Sequence, residues 1–281
     1  MQNQIVMVTG ATDGIGKVTA RVLVEKGAQV IVVGRNRAKT EKTVAEIKQK
    51  TGRESVNYLL ADFASQAEIR QLASQFRAQY DRLDVLVNNA GTMLVSRKET
   101  ADHLETTFAV NHLGPFLLTN LLLDLIKASA PARIINVSSD AHQGQALDFD
   151  DLQMTQGYQG MVAYGRSKLA NLYFTYELAR RLSGTGVTVN ALHPGFVATN
   201  LGADNIPLIG GLIKRVINLA AMNVEKGAKT SIYLASSPAV AGTTGKYFVD
   251  CRPVSSSPVS YDETAARRLW QISEAFTGLA A

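Results

Sequence analysis

The sequence predicts an α/β protein built on one doubly wound, mainly parallel sheet, and two observations carry that reading. Short apolar runs alternate with amphipathic stretches over the first two thirds of the 281 residues. The apolar runs are also bounded by turn residues and apolar on both faces, as parallel strands covered by helices are. In order they are Ile5-Val6-Met7-Val8, Val30-Ile31-Val32-Val33, Val56 to Leu60, Val85-Leu86-Val87, Ile134-Ile135-Asn136-Val137 and Val187 to Leu192. Tyr247-Phe248-Val249 reads as a last strand. Helical patterns lie between them, at 15–27, 37–50, 65–80, 101–129, 161–183 and 225–236. Repeated units of this length imply a sheet of about seven strands with helices on both faces.

No composition break or linker divides the chain, so residues 1–281 read as a single domain. Two segments interrupt the alternation: 140–160, polar and rich in Gly and Gln, and 198–223, apolar and Gly-rich. Both are expected to rim a site, because long loops in compact domains are usually functional or mobile. The second reads as a lid over a hydrophobic ligand, with a short core helix or a subunit contact as alternatives.

A hydrophobic fraction of 46% and a charged fraction of 19% suit a globular enzyme with a sizeable core. The single cysteine, Cys251, rules out an internal disulfide framework and points to a reducing, cytoplasmic setting. The net charge of +5 is scattered rather than gathered in a Lys/Arg run, which argues against a nucleic-acid partner. The opening Met1-Gln2-Asn3-Gln4 lacks the pattern of a signal peptide. Leu113 to Ile126, broken by Pro115, Asn120 and Asp124, is too short and polar for a membrane span.

The first strand runs into Thr9-Gly10-Ala11-Thr12-Asp13-Gly14-Ile15-Gly16, and a helix follows. Glycines there let the backbone turn tightly and approach a pyrophosphate at the helix N-terminus. A phosphate-binding P-loop fails, because Ala11 and Val18 stand where it needs Gly and Ser or Thr. The second strand ends Val33-Gly34-Arg35, with no carboxylate to accept from a ribose 2′-hydroxyl or repel a 2′-phosphate. Arg35 offers a planar cation suited to that phosphate, so NADP(H) is the preferred cofactor and NAD(H) stays open.

The Gly10-x-x-x-Gly14-x-Gly16 spacing resembles the T-G-x-x-x-G-I-G signature of the short-chain dehydrogenases/reductases. Asn88-Asn89-Ala90-Gly91, Tyr164-x-x-x-Lys168 and Pro194-Gly195 follow in that family's order, so the resemblance covers almost the whole chain. Ser138-Ser139, the long segment before Tyr164 and Leu269-Trp270-x-x-Ser273 look most like the retinol dehydrogenase and WW-domain oxidoreductase relatives. The resemblance implies a Rossmann-type fold. It also implies cofactor contacts at Gly10, Thr12, Asp13, Gly14, Ile15, Gly16 and Arg35, and at Asp62 and Phe63 near the adenine. Asn89, Ala90, Gly91, Tyr164, Lys168, Pro194, Gly195, Val197 and Thr199 complete that set.

Tyr164 and Lys168 stand one helical turn apart, on one face. A tyrosine of ordinary pKa, about 10, is a poor base at neutral pH. A unit charge at about 4 Å contributes roughly 4 kcal/mol at an effective dielectric near 20, which favours the phenolate by up to about three pKa units. Lys168, helped by oxidised nicotinamide, is expected to make Tyr164 a usable acid/base. Ser139 follows the fifth strand at the ligand-binding edge of the sheet, with Ser138 as its competitor. By resemblance, Asn111, Ser139, Tyr164 and Lys168 form the family's catalytic tetrad, Asn111 holding a water that links Lys168 to solvent. The alternative for Asn111 is a polar residue at a kink near Gly114-Pro115. His103, His112, His142 and His193 have no metal-like spacing among themselves or with Cys251 and read as loop or helix-surface residues, His142 and His193 as candidates near the pocket, so no metal is implied.

These readings converge on an oxidoreductase moving a hydride between nicotinamide and the carbonyl/alcohol carbon of a lipophilic substrate. A nucleotide-binding regulatory protein of the same fold and a carbon–carbon double-bond reductase are the alternatives. Pairing into a homodimer or homotetramer through the helices at 101–129 and 161–183 is an open expectation from the family.

Overall fold

Each apolar run of the sequence is a strand in the computed structural model, which describes residues 1–195 and 224–279. The first half runs β1 (Ile5–Thr9), α1 (Gly14–Glu25), β2 (Gln29–Gly34), α2 (Arg37–Thr51), β3 (Val56–Leu60), α3 (Gln66–Gln79) and β4 (Val85–Asn88). Local chemistry sets the helix starts: the side chains of Asp13, Asn36 and Ser65 accept backbone N–H groups at the heads of α1, α2 and α3. The second half holds β5 (Ala132–Val137), α7 (Gly160–Arg181), β6 (Val187–His193), α8 (Val224–Ser236), β7 (Lys246–Val249), β8 (Arg252–Val254) and α9 (Glu263–Thr277). Between β4 and β5 stand α4 (Thr106–Phe108), α5 (Gly114–Leu121) and α6 (Leu123–Ala128).

The sheet order is β3-β2-β1-β4-β5-β6-β7-β8, parallel except for the β7–β8 pair. The order reverses between β1 and β4, which opens a crevice at the carboxyl ends of those strands. Two large apolar clusters cover the two faces of the sheet. The eighth strand escaped the sequence because its three residues are exposed and carry no apolar period.

The helical stretch expected over 101–129 starts only at Thr106 and is interrupted next to the kink expected near Gly114-Pro115. A π-helical turn, Ala109–Leu113, separates α4 from α5, with Gly114 N–H bonded to the Ala109 carbonyl five residues back. Pro115 explains it: the ring has no N–H to donate to the Asn111 carbonyl, so a regular α ladder cannot pass that point.

A second correction concerns the histidines. His112 and His142 are buried rather than on loop or helix surfaces. Burial holds His112 neutral, at a pKa of about 3, with its Nε2 2.9 Å from Ser273 Oγ. His103 is exposed, as expected.

Helix α9 buries Ala266, Leu269, Trp270, Ser273 and Thr277, a repeat at helical spacing. It packs on α7 and α5, where the Trp270 ring meets Phe116 (4.9 Å between centroids) and Phe174 (5.9 Å). The Arg181 guanidinium lies 4.0 Å over the same indole. Part of the helical surface expected to meet a second copy is therefore covered by the chain's own C-terminal helix. Among the described residues, no helix is long and apolar enough to cross a membrane.

If α9 is integral to the domain, Trp270→Ala should lower unfolding free energy by about 3–5 kcal/mol. Denaturant unfolding of the variant checks this, and a loss below about 1 kcal/mol would make the helix a peripheral attachment.

Candidate active site

The N-terminal half of the crevice is shaped by the turn between β1 and α1. Gly10 takes φ +63°, and a Cβ there would lie 2.7 Å from the Ala90 Cα. The turn is thus pressed against the Asn89-Ala90 backbone, and a polar lattice holds it there. Asn89 Nδ2 donates to the carbonyls of Thr9 (2.8 Å) and Gly10 (3.1 Å), while the N–H groups of Asn89 and Ala90 both donate to Thr9 Oγ1 at 3.0 Å. Asp13 caps Gly14 N–H at 2.7 Å, and the first intrahelical bond runs from Lys17 N–H to the Asp13 carbonyl. The amides of Ile15 and Gly16 therefore lie ahead of the helical ladder, at its positive end.

Arg35 is exposed just beyond β2 and bonds to no described residue. Its neighbour Arg37 is engaged by Glu41 (3.5 Å) and the Tyr58 hydroxyl (3.2 Å). A tight turn, a helix N-terminus and an unpaired guanidinium at the end of β2 fit a dinucleotide carrying a 2′-phosphate. Asp62 is half-buried at the end of β3, and one of its carboxylate oxygens accepts from Ala64 N–H at 2.9 Å. The Phe63 side chain belongs to the core, packed against Gly114, so any ligand contact it makes is through its backbone.

The chemical half is built around α7. Lys168 is 4% exposed, and its ammonium donates to the Val137 carbonyl at the end of β5 (3.1 Å). Burial pulls its pKa down to about 8. Tyr164, one turn earlier, has the Lys168 Nζ 5.4 Å from its ring centroid. Burial pushes the Tyr164 hydroxyl up from its ordinary value, and the nearby Ser139 hydroxyl offsets only part of that. In the protein by itself, burial thus opposes the phenolate that Lys168 and an oxidised nicotinamide together are expected to favour.

The two serines separate cleanly. Ser138 is buried, with its hydroxyl given to the Lys168 carbonyl at 2.8 Å. Ser139 faces Tyr164, and its Oγ accepts from Ala141 N–H at 3.2 Å. Gly165 permits this approach, since a Cβ there would sit 2.5 Å from the Ala141 carbonyl. Asn111 is fully buried in the π turn. Its side-chain amide exchanges hydrogen bonds with the Thr92 backbone (2.7 and 2.9 Å) and donates to Ser167 Oγ (2.9 Å). A point one Cβ from Gly91 lies 3.4 Å from Asn111 Oδ1 and 3.6 Å from Lys168 Nζ, so the two residues converge there.

Pro194 and Gly195, the latter at φ +83°, follow β6 at the same edge. Val197, Thr199 and the lid segment 198–223 lie outside the described residues.

Fold and site together define a dinucleotide-dependent α/β oxidoreductase. The chain belongs to the short chain dehydrogenase family, whose model matches residues 4–207. It is 46% identical to human retinol dehydrogenase 14 across 99% of this chain and 88% of that protein. An uncharacterised Mycobacterium paratuberculosis protein superposes with a TM-score of 0.79 at 33% identity, covering 99% of this chain and 94% of that one. An Escherichia coli short chain dehydrogenase solved with NADPH gives a TM-score of 0.71 at 25% identity, covering 90% and 98%. The protein is accordingly an oxidoreductase acting on alcohol or carbonyl groups, with NAD(P) as its cofactor class.

Sequence reasoning missed the supports behind these residues. Thr9 joins the two nucleotide-side loops, and Asn136 links Asn88 to Thr175 through its amide (2.9 Å to each). A lone Asn inside the apolar run Ile134 to Val137 was the available signal, since a buried amide demands partners.

The buried lysine makes a stability prediction. An unfolded lysine titrates near 10.5 and this one near 8, so below pH 8 both states are charged and the folded state bears the full desolvation penalty. Between pH 8 and 10.5 the unfolded state holds the extra proton, and stability rises with pH. Lys168→Met should therefore be more stable than the parent at pH 7, by about 3 kcal/mol at most. That gain should shrink toward pH 10, and thermal unfolding of both proteins across this range measures it.

Proposed function

We propose that the protein is an NADP(H)-preferring dehydrogenase/reductase of a lipophilic carbonyl/alcohol pair, with Tyr164 as acid/base. The observation that carries this reading is the meeting of Tyr164, Ser139 and Lys168 beside the nucleotide cradle, at one edge of the sheet. Bound there, the nicotinamide supplies or accepts the hydride.

The chain's own groups handle the oxygen and its proton. Ser139 donates to the substrate oxygen as negative charge builds on it. Tyr164, kept protonated by burial, delivers its proton to that oxygen in reduction. Lys168 places positive charge next to the phenol, which favours the reverse transfer.

A lipophilic substrate is favoured by two large apolar side chains left in solvent at the mouth. Val95 is 61% and Met161 62% exposed. The two segments adjoin, since a Cβ on Gly160, the residue before Met161, would lie 3.1 Å from the Val95 Cα. Met161 stands one turn before Tyr164 on the same helix. The similarity to retinol dehydrogenases agrees with an apolar substrate class.

Tyr164→Phe should lower kcat by roughly 100- to 10,000-fold, the usual contribution of a positioned acid/base. NADPH affinity, read by cofactor fluorescence, should stay nearly unchanged, and turnover within a few-fold of the parent would refute the role. Cofactor preference is best tested at Arg35 alone. An acidic residue at Gly34 would collide with Thr12 Cγ2 and with Thr40 Oγ1, the latter 2.5 Å from the added Cβ. Arg35→Ser should raise KM for NADPH roughly 10- to 100-fold, the worth of a charge-assisted hydrogen bond, and leave KM for NADH almost constant. Equal changes with both cofactors would favour NAD(H) as the native partner.

A further inference from the structure

The Ser139 hydroxyl acts only if its backbone holds it toward Tyr164, and the side chain bonded to the Ser139 carbonyl is a histidine the reaction does not use. His142 is fully buried at the end of the short 3-10 turn Asp140–His142. Its two ring nitrogens have different partners. Ser257 N–H donates to Nε2 at 3.1 Å, so that nitrogen carries the lone pair. The proton is then on Nδ1, which lies 2.6 Å from the Ser139 carbonyl and donates to it. The same carbonyl also accepts the His142 backbone N–H at 3.1 Å. Tyr247 closes the ring's face in an edge contact, 5.2 Å between centroids. Burial keeps the imidazole neutral, in the one protonation state that satisfies both partners.

We propose that His142 is a positioning residue for Ser139, and that through it the serine is held by the Ser257 segment leading into α9. The inference rests on Ser139 being the donor to substrate oxygen, as set out above. Packing alone would be met by an apolar ring of similar size. What His142 adds is a rigid bridge with a donor at one end and an acceptor at the other, joining a loop after β5 to a loop after β8. Residues 139 and 257 are far apart in sequence, and the bridge is a direct link between the serine and the C-terminal part of the chain.

Two substitutions divide the bridge. In His142→Asn the side-chain amide N–H stands near the place of Nδ1 and keeps the donation to Ser139, while the bond from Ser257 is lost. In His142→Gln the amide oxygen reaches toward the place of Nε2 and keeps the bond from Ser257, while the donation to Ser139 is lost. Each is compared with the parent by kcat and KM per NADPH-binding site, which counts folded protein only, and by Tm.

The expected result is that His142→Gln loses kcat by roughly 10- to 100-fold, as small displacements of positioned groups do, with KM for NADPH unchanged. His142→Asn should retain kcat within about threefold, while its Tm falls at least as far as that of the Gln variant. Loss of kcat that follows Tm in both variants would mean a merely structural histidine and would overturn the proposal. So would parental kcat in both.

Ser139→Ala separates the layers. If it leaves activity high, the reading of Ser139 fails and takes this inference with it. If it abolishes activity while both His142 variants match the parent, the inference alone fails. In the Ser139→Ala background, adding His142→Gln should lower the residual rate no further, because the histidine acts through the serine. An additional 10-fold loss there would place its effect elsewhere.

Discussion

The rest of the site depends on a buried ammonium. Lys168 has given up nearly all its hydration, and among the described residues its hydrogen-bond partner is the Val137 carbonyl. A charge so placed is stable only while its acceptor stays put. Helix α7 is accordingly tied to the end of β5 by three bonds within one turn. The ammonium and Asn171 Nδ2 (3.4 Å) both reach the Val137 carbonyl, and Ser138 Oγ grips the Lys168 backbone from below. A slide of α7 by one residue would break all three, and Tyr164 would leave Ser139 with them.

The same logic continues inward as a ladder of side-chain amides. Asn88 donates to Asn136 and Thr119, Asn136 donates to Thr175, and the Thr175 hydroxyl donates to the Asn171 carbonyl within α7. These side chains are buried among Val, Ile and Leu, where losing a hydrogen bond costs about 1–3 kcal/mol, although the amide oxygens of Asn88 and Asn171 meet no partner among the described residues. The ladder therefore admits few alternative registers between β4, β5 and α7. Through Asn89 and Thr9 it extends to the turn between β1 and α1, so that turn and the Tyr164–Lys168 pair share one hydrogen-bonded base.

How much of this could be read from the residues follows from range. The strands were legible because apolar runs between turn residues are local, and α1 to α3 because the amphipathic stretches between those runs are local too. The four residues expected to form a tetrad were legible as a set of types in order, but their geometry was not. The division of labour between Ser138 and Ser139 depends on which face of a strand end meets α7, a contact about 30 residues away in the chain. His142 looked like a loop residue because its partner, Ser257, is a backbone amide 115 positions on, and no pattern in the sequence marks it. The π turn had a local sign in Pro115, four residues after Asn111, yet hydrophobic periodicity passes through such a turn almost unbroken. Helix α9 was a plain omission, since Ala266, Leu269, Trp270 and Ser273 keep helical spacing.

Burial has opposite effects on the two halves of the tyrosine–lysine pair, and this sets the chemistry the bare protein is ready for. It raises Tyr164, whose charged form is an anion, and lowers Lys168 to about 8, whose charged form is a cation. In water the two groups lose their protons at nearly the same pH; here the lysine loses its own first. Burial alone thus loosens the lysine's proton and tightens the tyrosine's, which disfavours the tyrosinate–ammonium pair as the pH of the protein alone is raised. Near neutral pH the site holds a phenol ready to give a proton and an ammonium ready to steady the anion left behind, which is the arrangement carbonyl reduction asks for. Alcohol oxidation asks for the phenolate first, and that requires a further positive charge close to the hydroxyl, such as the ring of an oxidised nicotinamide carries. Burial by itself thus favours the protonated phenol, and a positive charge brought into the crevice would shift that balance toward the phenolate.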